Sequence, residues 1–380
     1  MVFLGGGLGH EAREVAHVEL GNADVLVRVE LATVCGSDVH TVLGHRDEPV
    51  PLVLGHEAVA RVVRVGEAAR YVDGTPVALG DRVVWSISVH CSACDRCERG
   101  LTQKCRTLRK YGHTRFGAPA SGTSAWQLSG GFATHVHLLA GTSLLRVAED
   151  VPAAVLAPAG CGIATAHAAL AAASRTVPLG VDVGAPGGRS FSGVSGISVL
   201  VTGAGLIGLA VTAMATERGA AVTVSDPDPD RRAWARRFGA AHVVDPLAHA
   251  GETADSSDPG EYDVVIDASG SPAAVAAGLD AVAVGGAVVW VGSVFPADAV
   301  PVVPERVVRG LVTITGVHNY VASDLAGAVE FLTRNWREYP FAELVGAEFD
   351  LAQIDAAVAR AAEHREVRVG VRPGSMPHPR

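Results

Sequence analysis

The amino-acid sequence predicts an α/β protein with two regions of different architecture. Up to about residue 150, apolar and polar residues alternate in short runs, as in half-buried strands; the runs are Asp24–Ala32, Glu57–Val65 and Gly80–Trp85. After about Cys161, apolar strands alternate with helical patterns, which predicts a parallel sheet with helices on both faces. At roughly 150 residues per domain, the 380 residues predict two or three domains.

The second region is a regular succession of predicted elements. The predicted strands are Ile197–Thr202, Ala221–Ser225, His242–Val244, Asp263–Asp267 and Ala287–Val291. The predicted helices are Ala164–Ala173, Leu206–Glu217 and Asp230–Phe238, followed by helical stretches near Leu325–Thr333 and Leu351–His364 and a final strand at Glu366–Arg372. Arg175–Gly196 is rich in Gly and Pro and lacks periodicity, so we expect a surface insertion there.

Composition and charge exclude several classes of protein. Hydrophobic residues make up 48% and charged residues 19% of the chain, which is a globular rather than a disordered composition. The net charge of -9 and the lack of a basic block argue against a nucleic-acid partner. Because Met1–His10 carries no early positive charge, we expect no secretory signal and a cytoplasmic protein.

A glycine motif follows the first strand of the alternating region. Val199–Gly208 reads VLVTGAGLIG and places G-x-G-x-x-G between a strand and a helix. In this motif the first glycine permits a tight turn, the second admits a pyrophosphate and the third lets the helix pack on the strand. The candidates for cofactor binding are Gly203, Gly205, Leu206, Ile207 and Gly208. The motif also explains the apolar run Ser198–Thr216, which is about as long as a membrane span, so we expect no membrane segment.

An acidic residue ends the next predicted strand. Asp226 stands where a carboxylate can accept hydrogen bonds from the adenosine ribose hydroxyls, and its charge would repel a 2′-phosphate. The sequence therefore favours NAD over NADP. The alternative is a glycine-rich turn in an α/β domain that binds no cofactor.

Four of the six cysteines lie close together in the chain. Cys91, Cys94, Cys97 and Cys105 give the spacing C-x2-C-x2-C-x7-C. Four thiolates suit a closed tetrahedral Zn²⁺ site with no open position for chemistry, so we predict a structural zinc lobe over residues 91–105. The alternatives are a chance cluster of thiols, a redox pair and a nucleic-acid-binding zinc ribbon; the acidic chain argues against the last.

A second set of potential metal ligands is spread along the chain. Cys35 lies in CGSDVH, His56 and Glu57 lie in GHE, and Cys161 lies in PAGCG. Two thiolates and one imidazole with a fourth position for water or an alcohol form a catalytic zinc arrangement. Taken singly, each residue also fits a buried thiol or an ordinary histidine.

The order and spacing of these motifs resemble those of the zinc-dependent medium-chain dehydrogenase/reductase family, the zinc alcohol dehydrogenases. The resemblance extends from about Val25 to Pro373 and includes GGFATH at 130–135 and PAGCGIAT at 158–165. It implies a GroES-like, mostly-β catalytic domain formed by residues 1–162 and 317–380. It further implies an inserted Rossmann NAD-binding domain formed by residues 163–316.

The resemblance also implies metal-binding roles for individual residues. Cys35, His56 and Cys161 would be the ligands of a catalytic zinc, giving two zinc ions per chain with the structural one. Glu57 would be a nearby carboxylate that can bind zinc during ligand exchange. Asp38 would orient His56 through its second ring nitrogen.

Further implied roles concern the proton and the cofactor. Ser37 would take the alcohol proton and pass it through the nicotinamide ribose towards His40 at the surface. Thr165 would touch the nicotinamide, Arg231 the adenosine side and Arg368 the pyrophosphate. Gly36 stands where some members of the family place a basic residue on the pyrophosphate, which weakens inference about cofactor affinity.

The substrate pocket is the least determined part of the site. By their positions relative to the motifs, Arg46 and Lys110 would lie at the pocket mouth and Ile87 on an inner wall. Leu108–Arg115 (LRKYGHTR) loosely resembles a branch of the family associated with phosphonate metabolism. Two cations at an entrance could bind an anionic group on a hydroxyalkyl substrate, although both could equally be solvated surface charges.

The resemblance implies a zinc-dependent alcohol dehydrogenase that transfers a hydride between an alcohol and NAD, or reduces an aldehyde or ketone in reverse. Polyol, simple-alcohol and threonine-type substrates all remain open. The rivals are a zinc-free reductase of the same fold and a non-catalytic NAD-sensing or structural protein. A homodimer or homotetramer is expected through the edge of the Rossmann sheet, where Ala287–Val294 and Val312–Gly316 supply apolar strands.

Overall fold

The chain forms two compact units. The structure is a computed structural model that describes residues 1–120, 123–179, 196–248 and 260–374. One unit comprises Met1–Ala164 together with Val321–Arg380, and the other comprises Thr165–Tyr320. Residues 180–195, which make up most of the predicted surface insertion, lie outside the described residues.

The strands in chain order are β1 (Val2–Phe3), β2 (His10–Glu11), β3 (Val25–Val34), β4 (Glu57–Val65), β5 (Arg82–Val89), β6 (Arg109–Lys110), β7 (Ala118–Ala120), β8 (Thr123–Trp126), β9 (His135–Leu138), β10 (Thr142–Arg146), β11 (Ser198–Thr202), β12 (Ala221–Ser225), β13 (His242–Val244), β14 (Tyr262–Asp267), β15 (Val282–Trp290), β16 (Thr313–Gly316), β17 (Val345–Asp350) and β18 (Arg368–Arg372).

The α-helices are α1 (Gly36–Val42), α2 (Asp95–Glu98), α3 (Ala153–Leu156), α4 (Gly162–Ala173), α5 (Leu206–Glu217), α6 (Pro229–Arg237), α7 (Pro272–Ala281), α8 (Pro304–Gly310), α9 (Ala322–Asn335) and α10 (Ile354–Ala362). Short 3₁₀ turns lie at Thr102–Lys104, Ala157–Gly160, Phe341–Leu344 and Leu351–Gln353.

The first unit is built on a sheet with the strand order β10-β5-β4-β3-β18-β17, to which β6 adds beside β5 and β9 beside β3. The predicted strands are present, but the expectation that they are half-buried is wrong for β5, which is buried along its whole length. Helix α9 and the turn Ala157–Gly160 pack on β5 in addition to its neighbouring strands. Segments that are distant in the sequence therefore bury the face of β5 that the local sequence pattern predicted to be exposed to solvent.

The second unit is a six-stranded parallel sheet with the order β13-β12-β11-β14-β15-β16. All five predicted strands occur in it, and the prediction of a parallel sheet is confirmed. β15 begins at Val282, five residues before the predicted start at Ala287. Helices α5 and α7 pack on the sheet, and chain order reverses at β11, the position where such sheets bind ligands.

Several elements differ from the sequence-based expectation. The predicted helix Leu351–His364 is divided into a 3₁₀ turn and α10. Helix α1, helices α7 and α8, and strand β17 were not predicted. Because α1 spans only Gly36–Val42 and α8 only Pro304–Gly310, neither presents the repeated apolar period from which longer helices are inferred.

The apolar run Ser198–Thr216 is divided between strand β11 and helix α5. Within the described ranges, no single helix is long and apolar enough to span a membrane. One bent pair, Ala153–Gly160 with Gly162–Ala173 at 58°, meets the criterion by length and composition.

A buried carboxylate that accepts three hydrogen bonds fixes the entry to β3. Asp24 accepts hydrogen bonds from His137 Nε2 at 2.8 Å and from the backbone amides of Ala140 at 2.8 Å and Gly21 at 2.9 Å. Burial would raise the pKa of Asp24, but these donors lower it below the ordinary value. The fold therefore stabilises the ionised carboxylate and joins the start of β3 to the end of β9.

Replacing Asp24 with Asn should lower the free energy of unfolding at pH 7 by about 1–3 kcal/mol, because the amide keeps only part of this hydrogen bonding. A carboxylate with a lowered native pKa stabilises the fold above the unfolded pKa of about 3.9 and loses that effect as pH falls through the native pKa. Urea unfolding at several pH values should therefore show a weaker acid dependence in Asp24→Asn. The exposed Asp47→Asn is the control, and equal acid dependence in wild type and Asp24→Asn would contradict the assignment.

Candidate functional site

The fold brings together the four residues of the second predicted ligand set. The donor atoms of Cys35, His56, Glu57 and Cys161 all lie within 4.8 Å of one another. Cys35 precedes α1, His56 and Glu57 stand at the start of β4, and Cys161 follows the turn Ala157–Gly160. Two thiols, an imidazole and a carboxylate at these distances form a donor set that suits Zn²⁺.

The imidazole of His56 is buried and held between two polar neighbours. Its Nδ1 lies 3.5 Å from Asp38 Oδ1, and its Nε2 lies 3.4 Å from Ser37 Oγ. Burial would lower the pKa of His56, but the charge of Asp38 raises it well above the ordinary value. Because Nδ1 faces the carboxylate, Nε2 is the nitrogen that can bind a metal.

Asp38 is also tied to the backbone on both sides of the site. Its carboxylate accepts hydrogen bonds from the amide of Cys35 at 3.0 Å and from the amide of Gly55 at 3.2 Å. Asp38 is completely buried. The same carboxylate thus fixes the segments that carry Cys35 and His56.

Glu57 forms a buried ion pair that the sequence analysis missed. Arg368 donates to its two oxygens at 2.8 and 2.9 Å, and Thr33 Oγ1 donates at 2.6 Å. Burial raises the pKa of Glu57, while the Arg368 charge opposes that rise. Arg368 also lies 3.9 Å from Cys35 Sγ. Its hydrogen bonds are thus directed to the ligand set, and its role at the pyrophosphate stays a prediction.

The two thiols of this set influence each other. A hydrogen bond with Cys161, supported by the Arg368 charge, lowers the pKa of Cys35 well below its usual value. The same hydrogen bond, with burial, raises the pKa of Cys161 well above its usual value. The pair therefore favours one thiolate and one thiol. A divalent cation would favour loss of the remaining proton, because a coordinating thiol is deprotonated.

The four-cysteine lobe has the geometry of a tetrahedral metal site. The Sγ atoms of Cys91, Cys94, Cys97 and Cys105 all lie within 4.8 Å of one another, and four of the six distances are 3.5 to 4.0 Å. Zn–S bonds of about 2.3 Å in a tetrahedron would separate the sulfurs by about 3.8 Å. Disulfides need about 2.05 Å, and all six cysteines are free thiols. Backbone amides of Arg106 and Cys97 lower the pKa of Cys94 to about 6, which favours a thiolate ligand.

A polar cluster formed by Arg46, Glu48, Lys110 and His113 lies beside the ligand set that contains His56. Arg46 Nε lies 2.8 Å and His113 Nδ1 3.0 Å from the same oxygen of Glu48. The His113 ring is 5.0 Å from that of His56. Glu48 therefore balances the charge of Arg46, and the role of Arg46 at the pocket mouth stays a prediction. Glu48 and His113 lack a motif that would have signalled them in the sequence.

Lys110 differs from Arg46 in its relation to Glu48, which acts on it electrostatically but does not form an ion pair with it. Its ammonium makes no hydrogen bond or ion pair with the residues that the structure describes. Burial, followed by the charges of Arg46 and Lys104, lowers its pKa, while Glu48 and Cys161 act in the opposite direction. Lys110 pairs in the sheet with Ser88, next to the buried side chain of Ile87. It is thus a half-buried cation within electrostatic reach of Cys161.

The glycine motif has the geometry that a dinucleotide site requires. Gly203 has φ +92°, and a Cβ on Gly208 would lie 1.9 Å from the Gly203 carbonyl oxygen. A Cβ on Gly205, at the start of α5, would meet no atom within 4 Å, so the backbone there is open to a ligand. The side chain of Leu206 is buried and can offer a cofactor only its backbone, whereas Ile207 is half-buried.

The remaining candidates for cofactor binding belong to the second unit. Asp226 follows β12, and its carboxylate accepts hydrogen bonds from the amides of Ala204 at 2.7 Å and Asp228 at 2.9 Å. Arg231 lies in the first turn of α6, and Thr165 lies in the first turn of α4. The position of Asp226 at the end of its strand is the one that the sequence predicted.

Comparison with known proteins identifies the family. Residues 21–149 match the alcohol dehydrogenase GroES-like domain, and residues 207–334 match the zinc-binding dehydrogenase domain. An L-threonine 3-dehydrogenase of Streptomyces avermitilis is 30% identical over 366 residues, which cover 94% of each chain.

Solved structures share the fold. An alcohol dehydrogenase from Thermotoga maritima has a TM-score of 0.84 at 26% identity, with 98% of both chains covered. A protein from Sinorhizobium meliloti, described as a zinc-binding dehydrogenase and bound to NADP, has a TM-score of 0.78 at 24% identity, with 95% of both chains covered.

The chain belongs to the zinc-dependent medium-chain dehydrogenases. It is an oxidoreductase that acts on CH–OH groups with a nicotinamide dinucleotide. The predicted fold class, a GroES-like domain with a Rossmann domain, is confirmed. The prediction that zinc and a nicotinamide dinucleotide are the cofactors is confirmed at the level of the family.

The zinc lobe gives a direct prediction. Cys94→Ser should remove one of two zinc ions per chain and lower the Tm by roughly 5–10 °C, since metal binding to such a lobe contributes to folding. Elemental analysis and calorimetry measure both effects. Cys161→Ser is the matched control because it changes a thiol of the other set and should leave the lobe zinc bound. Two zinc ions in Cys94→Ser would refute the assignment of the lobe.

Proposed function

We propose that the chain oxidises an alcohol with NAD at a catalytic zinc held by Cys35, His56 and Cys161. The convergence of these three donor atoms with Glu57 within 4.8 Å is the observation that carries the proposal. When bound there, Zn²⁺ would act as a Lewis acid and lower the pKa of an alcohol. We further propose residues 1–162 and 317–380 as the catalytic domain and residues 163–316 as the NAD-binding domain.

The side chains around the donors have distinct proposed tasks. Asp38 orients His56, and its hydrogen bonds to two backbone amides support that role. Ser37, 3.4 Å from His56 Nε2, takes the alcohol proton and passes it towards His40. Glu57 is the carboxylate that can approach the metal during ligand exchange, with Arg368 balancing its charge when it does not.

For the cofactor we propose NAD in preference to NADP. The carboxylate of Asp226 at the end of β12 supports this choice, because it would accept hydrogen bonds from ribose hydroxyls and repel a 2′-phosphate. Gly205 would admit the pyrophosphate, while Gly203 forms the tight turn and Gly208 lets α5 pack on the strand. Thr165 would lie at the nicotinamide and Arg231 on the adenosine side. The NADP in the Sinorhizobium meliloti protein is a property of that protein.

Activity on a panel of alcohols tests the proposal. The wild-type protein should form NADH from at least one alcohol, faster than it forms NADPH, and a strong chelator should abolish the reaction. Cys161→Ser should lose at least about a hundredfold in kcat/KM while remaining folded, because one of the three proposed zinc ligands is lost. Undiminished turnover in Cys161→Ser, or after the catalytic metal is removed, would instead favour a zinc-free reductase. Binding of NAD without turnover of any alcohol or carbonyl would favour a non-catalytic protein.

The substrate that we propose is a hydroxyalkyl compound with an anionic group, bound by Lys110. The half-buried ammonium, which forms no ion pair within the described part of the chain, supports this because charge-assisted hydrogen bonds are the stronger ones. A phosphonate, a phosphate and a carboxylate share this chemistry. L-Threonine, the substrate named for the Streptomyces avermitilis relative, carries a carboxylate and is therefore a specific second candidate. Polyols are the neutral alternative.

Paired substrates test the role of Lys110. Lys110→Ala should lower kcat/KM for an anionic alcohol about tenfold to a hundredfold, equivalent to about 1.5–3 kcal/mol, and leave a neutral alcohol of similar size nearly unchanged. Lys104→Ala, the other lysine of the chain, is the matched control. Equal losses on both alcohols, or a wild-type preference for the neutral one, would exclude an anion site at Lys110.

We also propose a homodimer or homotetramer formed through the edge of the parallel sheet. β16 is the terminal strand of that sheet, and β15 lies beside it. Val284, Val294 and Leu311 nearby are exposed apolar side chains, which supports an interface there. A cytoplasmic location remains a prediction from the sequence.

A further inference from the structure

Helix α1 ends in a turn that folds His45 back over His40. Gly44 has φ +76°, its amide donates to the Thr41 carbonyl at 3.2 Å, and the His45 amide donates to the His40 carbonyl at 2.8 Å. These two hydrogen bonds and the left-handed glycine make a Schellman motif. A side chain at position 44 would be strained in this conformation. The turn that Gly44 permits therefore brings the side chains of His40 and His45 close together.

The two imidazole rings meet at their Nδ1 atoms. Nδ1 of His40 lies 3.4 Å from Nδ1 of His45, and the ring centroids are 5.6 Å apart. A hydrogen bond between two ring nitrogens requires that one carries a proton and the other does not. At this distance the rings therefore form a pair that can share one proton.

The two histidines differ in their access to water. His40 is half-buried and His45 is exposed. Burial, followed by the charges of His45 and His364 and then of Arg46, lowers the pKa of His40, while Cys35 acts in the opposite direction. His364 comes from the segment after α10, which packs on α1. His40 is thus surrounded mainly by groups that disfavour its charged form, and a proton that reaches it needs an outlet.

We propose that His45 is that outlet, so that the proton relay ends in a pair of histidines rather than at His40. The proposal rests on the function proposed above. His40 accepts a proton at Nε2, its Nδ1–H bond breaks, and a new bond forms at Nδ1 of His45. His45 then releases its Nε2 proton to water, so each step leaves the number of protons unchanged.

This route specifies which nitrogen of His40 carries the proton at rest. If His40 holds hydrogen at Nδ1 and donates it to His45, its Nε2 carries the lone pair that accepts the proton arriving from Ser37. The opposite tautomer would block that nitrogen. His45 is therefore a positioning residue, because it selects the tautomer of His40 as well as receiving the proton.

The substitution His45→Asn separates the selection of the His40 tautomer from the uptake of the proton. The Asn side chain can still accept a hydrogen bond from His40 but cannot take up a proton. We expect a slower single-turnover rate of NADH formation, by less than the roughly hundredfold typical of removing a general base, with KM unchanged. Added imidazole should restore the rate. His364→Asn removes a neighbouring imidazole without touching the Nδ1 pair and should not be rescued, and the exposed His17→Asn should behave as wild type.

A second readout does not depend on turnover. Loss of the His45 charge should raise the pKa of His40 in an NMR titration of the full-length protein. If wild type oxidises alcohols and His45→Asn matches it in rate and in response to imidazole, the relay proposal is overturned and the proposed function stands. An equal rescue of His364→Asn, or an unchanged His40 titration in His45→Asn, also overturns it. If wild type oxidises no alcohol, the proposed function fails and the relay fails with it.

Discussion

The ligand set depends on the buried carboxylate of Asp38. It accepts hydrogen bonds from the amides of Cys35 and Gly55 and faces Nδ1 of His56. Because the amides belong to the segments that carry two of the donors, one carboxylate sets both positions and leaves the other imidazole nitrogen facing the site. A buried charge is tolerated when it is satisfied in this way, and its removal would leave three groups without a partner.

Most of the buried charges around Asp38 and the ligand set have a partner of opposite charge. Two thiolates would balance a divalent cation, and Arg368 balances Glu57. The charge of Asp38 is stabilised by the amides of Cys35 and Gly55 and by the neighbouring imidazole of His56. Burial of unbalanced charge costs several kcal/mol per ion. The ion pair with Arg368 therefore stabilises the buried carboxylate of Glu57 at a position next to the other three members of the ligand set. In the polar cluster Glu48 similarly balances Arg46, whereas Lys110 is a half-buried cation that forms no ion pair with the described residues.

How much the sequence predicts depends on the range of the interactions involved. The cysteine lobe and the glycine motif are local, so the spacing of Cys91 to Cys105 and of Gly203 to Gly208 was sufficient. The Arg368–Glu57 pair joins residues 311 positions apart, and only the register of β18 on β3 and of β3 on β4 brings them together. Burial of β5 likewise depends on α9, a distant helix. Local patterns predict elements and motifs, whereas pairings of this kind follow from tertiary packing.

Helix α1 is only seven residues long and is stabilised by interactions at both of its ends. Isolated helices of its length are unstable in water, so its position relies on contacts other than helix propensity. Asp38 caps its first turn, the Schellman turn at Gly44 closes its last turn, and α10 packs on it. The same two ends carry groups to which we assign the chemistry, since Cys35 adjoins the first end and the second end forms the His40–His45 pair. The interactions that stabilise the helix are therefore also those that position its reactive groups.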